Sequence, residues 1–248
     1  MISKNQIKYI RQLEQRKYRK REGLFVAEGP KVVGDLLRRL RPAALIATPE
    51  WTGAHGDGHT VQTVTDDELR RISFLQHPQQ VLALFPIPET PPVQPAGQLS
   101  IALDGVQDPG NLGTIIRIAD WFGIDTIYCS DDTADAYNPK VVQATMGSIA
   151  RVNLIYTSLP ALLDTLPPSY PIYGTLLDGS DIYRQPLSAE GIIVMGNEGN
   201  GISEAVRQRI SHRLLIPCFR EGDAAESLNV AIATAITCAE FKRRSIAP

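Results

Sequence analysis

LLIPCFREGDAAESLNVAIATAITCAEF, residues 214–241, runs without a break from a short apolar segment through a long polar loop into an apolar helix. From 227 to 239 no residue is charged, and only Ser227, Asn229, Thr234 and Thr237 are polar. Such a helix is apolar nearly all round and needs burial on more than one side. It opens on Glu226, Ser227 and Asn229. Serine is a good N-cap, and the first helical turn presents unpaired N–H groups with partial positive charge. The pattern therefore predicts a helix over 227–241 whose polar first turn is either a plain cap or part of a ligand site.

Upstream of this stretch, short apolar runs recur at 101–103, 126–129, 152–155, 172–176 and 192–195, with 214–216 as the last, and several are separated by helical patterns. This alternation predicts an α/β domain, a mostly parallel sheet with helices on both faces. In such sheets ligands bind outside the carboxyl ends of the strands. Ahead of it, PIPETPPVQPAG, residues 86–97, holds five prolines. A run of this kind is extended and continues neither a helix nor a central strand, so it is a linker. Residues 1–85 then form a small α/β domain of their own. Its expected parts are a basic helix over 3–21, strands near 24–27, 43–47, 61–64 and 81–85, a helix opened by Pro30 and a short helix capped by Asp66. The expected domains are thus 1–85, a linker at 86–97, and 98–248.

The formal net charge of −2 hides an asymmetry, because residues 1–41 carry 12 Lys or Arg against 4 Asp or Glu. A basic segment on an otherwise acidic chain is the electrostatic footprint of a phosphate-rich partner. The three cysteines are too few and too scattered for a disulfide framework or a zinc site, which fits a reducing compartment. His55 and His59 lie in a glycine-rich loop, and no metal is expected there. No apolar run approaches the ~20 residues that span a bilayer, and the basic N-terminus lacks a signal peptide's apolar stretch. The expectation is a cytoplasmic protein without membrane or metal.

Two further loops follow predicted strands. DGVQDPGNLGTIIRIADWFG, residues 104–123, has glycines spaced five then three, which excludes the G-x-G-x-x-G fingerprint, and no P-loop Gly-Lys-Ser/Thr follows. Asn111 is read as the cap of a helix whose buried stripe is Leu112, Ile115, Ile116, Ala119 and Phe122. Arg117 lies on another face with Gly113 and Asp120 and leans back toward the loop, since helical side chains tilt toward the N-terminus. It is either a surface arginine paired with Asp120 or a site residue. VMGNEGNGIS, residues 194–203, crowds three glycines around Asn197 and Glu198 directly after a buried strand, which suits close approach to a ligand.

NLGTIIRIADWFG, VMGNEGNGIS, and IP followed by ESLNVAIATAI together resemble the three ordered motifs of the SpoU/TrmH family of RNA ribose 2′-O-methyltransferases, within the SPOUT class. The resemblance covers residues 99–241. KYRKREGLFVAEGPKVVGDLL is similar to the start of the family's small substrate-binding domain. The resemblance implies a C-terminal trefoil knot, a homodimer joined through the apolar helix, and S-adenosylmethionine as methyl donor. It implies donor contacts at Gly196, Ile216 and Leu228, with Asn197 and Gly199 of the same loop and Leu176 completing the wall. It places Arg117 near the attacking 2′-hydroxyl, with Asn111, Glu198, Ser227 and Asn229 holding Arg117 and the ribose. A guanidinium is a poor base, so Arg117 is assigned to orientation and charge stabilisation. The implied substrate is a structured RNA, ribosomal in preference to transfer RNA because of the separate N-terminal domain. Lys17, Arg19, Lys20 and Arg21 would meet its phosphates. The alternative is a non-catalytic RNA-binding protein of the same fold. CFREGDAA, residues 218–225, is longer than the family's usual link at that point and is assigned no role.

Overall fold

The structure, a computed structural model, describes residues 1–55, 58–89, 95, 97–223 and 225–246. These fall into two compact units, one of residues 1–89 with 135–150 and one of residues 90–134 with 151–248.

The basic N-terminal stretch is two helices rather than the one expected over 3–21. Ser3 caps α1 (Lys4–Gln12), and α2 (Arg16–Glu22) ends on Gly23 at φ 63°. The break at 13–15 has a local cause. The buried Arg19 donates to the carbonyls of Leu13 and Glu14, both at 2.6 Å, filling acceptors that the end of α1 leaves open. There follow β1 (Leu24–Glu28), α3 (Pro30–Leu37), β2 (Ala44–Ala47), α4 (Pro49–His55), β3 (Gln62–Thr63), α5 (Asp66–Ile72) and β4 (Val81–Pro86). The cap of α5 is Thr65, in a reciprocal capping box with Glu68, and not Asp66. The sheet order is β1-β4-β2-β3, with β4 antiparallel to both of its neighbours. Ile10, Leu13, Val26, Ile46, Leu69 and Leu82 form its core. Half of the expected linker, residues 90–94 and 96, lies outside the described residues.

The second unit begins with β5 (Leu99–Asp104), α6 (Pro109–Trp121) and β6 (Thr126–Cys129). The chain then contributes residues 135–150, including α7 (Pro139–Thr145), to the first unit, although they fall inside the expected 98–248 range. There Asp135 forms an ion pair with Arg19, and Tyr137 packs on Phe25. Next come β7 (Asn153–Tyr156), α8 (Leu159–Asp164), β8 (Ile172–Asp181), β9 (Gly191–Gly196), α9 (Glu204–Arg207), β10 (His212–Leu215) and α10 (Val230–Ile246). The strands lie in the order β10-β8-β9-β5-β6-β7, all parallel.

Helices cover both faces, as strand alternation requires. Ala102, Tyr128, Ile172, Ile192 and Val194 point to one side, packing with Leu159 and Leu163 of α8 and Val206 of α9. Tyr173, one residue on from Ile172, points to the other side and meets Phe241 of α10 edge-on, centroids 4.8 Å apart.

The apolar C-terminal helix starts three residues later than its composition suggests. Asn229, not Ser227, is its cap, its Oδ1 accepting from the amides of Ala231 at 2.9 Å and Ile232 at 3.3 Å. Val230, Thr234, Thr237, Cys238 and Phe241 are buried while Ile232 is exposed. Among the described residues no helix is long and apolar enough to cross a membrane, and no cluster of His, Cys, Asp or Glu is arranged to hold a metal ion.

Candidate functional site

The chain fills the sheet outward from β5 through β6 to β7, then returns beyond β5 to place β8, β9 and β10. The order therefore reverses between β5 and β9, and at such a switch point sheets of this kind bind ligands in the crevice outside the carboxyl ends of the strands. The last rung of that pair joins Asp104 to Gly196, and two of the three loops leave from it.

The loop after β9 closes on itself. Asn197 and Gly201 exchange backbone hydrogen bonds of 2.9 and 3.0 Å. A Cβ at Gly196 would lie 2.3–2.6 Å from the backbone of Gly201 and Ile202, so no side chain fits at that position. Asn197 accepts from the amides of Gly199 and Asn200, both at 2.9 Å, and its Nδ2 donates to the Gly105 carbonyl at 2.7 Å. Its side chain is thus occupied in tying the second loop to the first. Asp104 adds a second tie, accepting from the Ser203 amide at 2.6 Å.

Asp108, not Asn111, caps α6, with Pro109 at the first helical position and the Asn111 amide donating to Asp108 at 2.8 Å. The Asn111 side chain is left to face the other loops. Its Nδ2 donates to Glu198 at 3.0 Å, and its Oδ1 accepts from Asn229 Nδ2 at 2.9 Å. Glu198 also accepts from the amides of Gln107 at 3.2 Å and Asp108 at 3.1 Å. Partial burial alone would raise the Glu198 carboxyl, but the hydrogen bonds from Asn111 and the backbone amides outweigh it and hold the group below the usual carboxylate range. Glu198 is an ionised brace between two loops.

Arg117 projects from α6 as an exposed side chain, with no hydrogen bond or ion pair among the described residues. Pairing with Asp120 does not occur. Asp120 is held by Arg151 through bonds of 2.9, 2.9 and 2.7 Å, which leaves the Arg117 fork open on the helix that carries Asn111.

The apolar residues expected to line the donor differ in exposure. Leu176 on β8 and Ile216 just after β10 are half-buried. Leu228 is 50% exposed and Leu177 is 73% exposed. Gly196 is half-buried at the crevice, Gly199 is exposed, and Ser227 is exposed outside the Asn111–Glu198–Asn229 network. In the first unit Lys17, Lys20 and Arg21 are exposed, with Lys17 and Arg21 each 4.9 Å from the Tyr18 ring centroid. Arg19 is only 2% exposed and its guanidinium is paired internally, so it presents no charge to a partner.

Sequence reasoning missed Asp108, Gln107 and Arg151. Asp-Pro-Gly at 108–110 is itself a cap-then-proline signature and could have placed the helix start. Nothing local in the sequence reveals the Asp120–Arg151 pairing, 31 residues apart.

The SpoU rRNA Methylase family matches residues 98–239. The MRM3-like substrate binding domain matches residues 4–83. The 23S rRNA (guanosine(2553)-2'-O)-methyltransferase RlmP of Bacillus subtilis is 32% identical over 240 residues, 94% of this chain and 95% of its own. A putative RNA methyltransferase of the TrmH family from Porphyromonas gingivalis is 44% identical with a TM-score of 0.89, covering 98% of this chain and 99% of that one. An AdoMet-bound rRNA methyltransferase from Sinorhizobium meliloti is 30% identical with a TM-score of 0.84, covering 100% and 98%.

Proposed function

We propose, from the premise that this chain belongs to the SpoU rRNA Methylase family, that it transfers a methyl group from S-adenosylmethionine to a ribose 2′-hydroxyl of ribosomal RNA. The observation that carries the reading is the Asn111–Glu198–Asn229 network, which joins all three loops at the switch point, with Arg117 unpaired on the helix that carries Asn111. The name of the Bacillus subtilis relative, whose length this chain matches almost throughout, favours ribosomal over transfer RNA. A lapsed, purely RNA-binding relative would have no use for that network.

Bound S-adenosylmethionine supplies an electrophilic methyl on a sulfonium. Leu176, Ile216 and Leu228 would contact its apolar parts, and the backbone around Gly196, Asn197 and Gly199 would line the remainder. Displacement at a methyl carbon demands that the ribose oxygen be held in line with it. Asn111 and Asn229 fix the first turns of α6 and α10, and Glu198 locks the β5 loop between them. Arg117, with planar donors and no acceptor, orients the 2′-oxygen and stabilises the charge developing on it. In the transfer the oxygen–carbon bond would form as the sulfur–carbon bond of the donor breaks, and the hydroxyl proton would leave to water or an RNA phosphate. Ser227 contacts the ribose from the start of the third motif.

Residues 1–85 bind the RNA, 86–97 link, and 98–248 carry the chemistry. The protein acts in the cytoplasm as a homodimer, with the exposed Ile232 and the half-buried Ile236 of α10 facing the partner subunit. In this reading β10 is threaded to form the trefoil knot.

The test is methyl incorporation from labelled S-adenosylmethionine into 23S rRNA and into transfer RNA, both from cells lacking the gene. One alkali-resistant dinucleotide in the ribosomal RNA is expected. Methylation confined to transfer RNA would change the substrate, and none in either would defeat the activity.

A further inference from the structure

The N-terminal unit holds a pocket of ≈ 330 Å³ lined by Val26, Glu28, Phe74, Leu75, Lys140 and Gln143, among others. That volume is at the small end of ligand pockets, about 300–1,000 Å³. The lining is mostly apolar and contains one acid, Glu28, which is 5% exposed. Glu28 Oε1 accepts from the Phe74 amide at 2.8 Å, and Oε2 accepts from the Ser73 hydroxyl. A carboxylate has about four acceptor positions. Half of that capacity is unmet among the described residues, at a group whose burial is expensive unless it is fully hydrogen-bonded. The Arg11 guanidinium lies 4.8 Å from the Phe74 ring centroid and donates to the Ser73 carbonyl, and Lys140 is exposed at the lining. Hence one small pocket combines an aromatic wall, a buried carboxyl and one cation, Lys140, in its lining, with Arg11 stacked on the Phe74 ring next to it.

We propose that this pocket captures one unstacked guanine of the RNA, its N1–H and N2–H groups donating to Glu28, its face against the side of Phe74 that Arg11 does not cover, and its phosphate toward Lys140. Single-stranded RNA is read in this manner, by bases splayed onto aromatic side chains and hydrogen-bonded along their edges. Guanine is the base whose Watson–Crick edge offers two adjacent donors. Adenine and cytosine set an acceptor nitrogen beside their single amino group, and uracil flanks its N–H with carbonyls, so each would turn a lone pair toward the carboxylate. The inference rests on the RNA-binding reading above and adds base identity to it. None of the methyl-transfer residues takes part.

The experiment titrates the full-length protein with guanosine, inosine and adenosine 5′-monophosphates, following backbone amide resonances by NMR. Guanosine monophosphate should shift the amides of Phe74 and Leu75. Inosine monophosphate, which lacks the N2 amine, should bind at least about tenfold more weakly, the worth of a hydrogen bond to a charged group. Glu28→Gln should weaken guanosine monophosphate by a similar factor. Because that change touches a buried group, Ala144→Trp serves as a second variant that fills the pocket from α7 without touching the carboxyl. It should abolish the shifts and raise the KM for 23S rRNA at least about tenfold at unchanged kcat. Equal affinity for all three nucleotides, or shifts confined to other residues, would overturn the proposal. Loss of nucleotide binding in Ala144→Trp with an unchanged KM for RNA would also overturn it, assigning the pocket to a free nucleotide. Wild-type protein that binds guanosine monophosphate but methylates no RNA would count against the activity alone.

Discussion

The side-chain amide of Asn229 donates to Asn111 across 2.9 Å, although 118 residues separate them in the chain. Asn229 also caps α10, so one residue both starts the C-terminal helix and fixes it to the first turn of α6. Helix position and site geometry are therefore set by the same side chain.

The two functions of Asn229 separate by substitution. Asn229→Ala should remove both, destabilising the protein by about 0.5–2 kcal/mol as the cap disappears. Asn229→Asp keeps an oxygen for the cap but has no donor for Asn111, so stability should be near wild type while single-turnover methylation falls. Combined with Asn111→Ala in a double-mutant cycle, the coupling should be about 0.5–3 kcal/mol. Simple additivity in turnover would show that the two asparagines act separately.

Arg117 is the open cation of the site, and its removal should be felt in the chemical step. Arg117→Ala should lower kcat by roughly 10²–10³, the effect of removing one donor to a developing oxyanion. S-adenosylmethionine affinity by calorimetry should stay unchanged. Arg117→Lys keeps the charge without the planar fork, and partial recovery is expected. Unchanged turnover in the alanine variant would remove Arg117 from the mechanism.

Glu198 gives a pH dependence of definite sign. Its folded pKa lies below the ordinary value of 4.5, so its hydrogen bonds stabilise the fold fully above that value. The contribution is lost as pH falls through the lower, folded value. Urea denaturation of wild type and Glu198→Gln should therefore show a gap that is constant at neutral pH and closes as pH falls below about 4.5. Activity of the variant should be low at every pH, since glutamine keeps one acceptor oxygen and its NH₂ cannot accept what the other carboxylate oxygen received, either the Gln107 amide or the Asp108 amide with Asn111. A gap that widens in acid would contradict the assignment.

The parallel sheet is legible in the sequence because its strands are compact apolar runs, and a run buried on both faces carries a signal of its own. The three loops are legible as motifs for a related reason, since a plain surface turn seldom crowds glycines and polar residues directly behind a buried strand. Helix starts are harder to read. Composition points to Asp66, Asn111 and Ser227 as caps, while Thr65, Asp108 and Asn229 are the caps found. Polar residues cluster at helix starts, and which one caps depends on φ/ψ that composition does not encode. Residues 135–150 are illegible for a different cause. Their membership of the first unit depends on long-range pairings such as Arg19 with Asp135, 116 residues apart.

That ion pair divides the N-terminal basic run into two classes. Arg19 is buried with Asp135 and the Leu13 and Glu14 carbonyls, and Asp135 keeps Arg16 as a second partner, so Arg19→Ala should destabilise the protein by about 1–3 kcal/mol as the two carbonyls lose their donor. Its RNA affinity, measured where the fold is intact, should be near wild type. Lys17, Lys20 and Arg21 are exposed, and their joint replacement by alanine should leave stability within about 0.5 kcal/mol. That triple variant should instead weaken RNA binding and reduce the slope of log affinity against log salt by roughly one for each phosphate no longer neutralised. An unchanged salt slope would mean that the RNA lies on another face, because counterion release depends on the number of phosphates neutralised and not on the sequence being read.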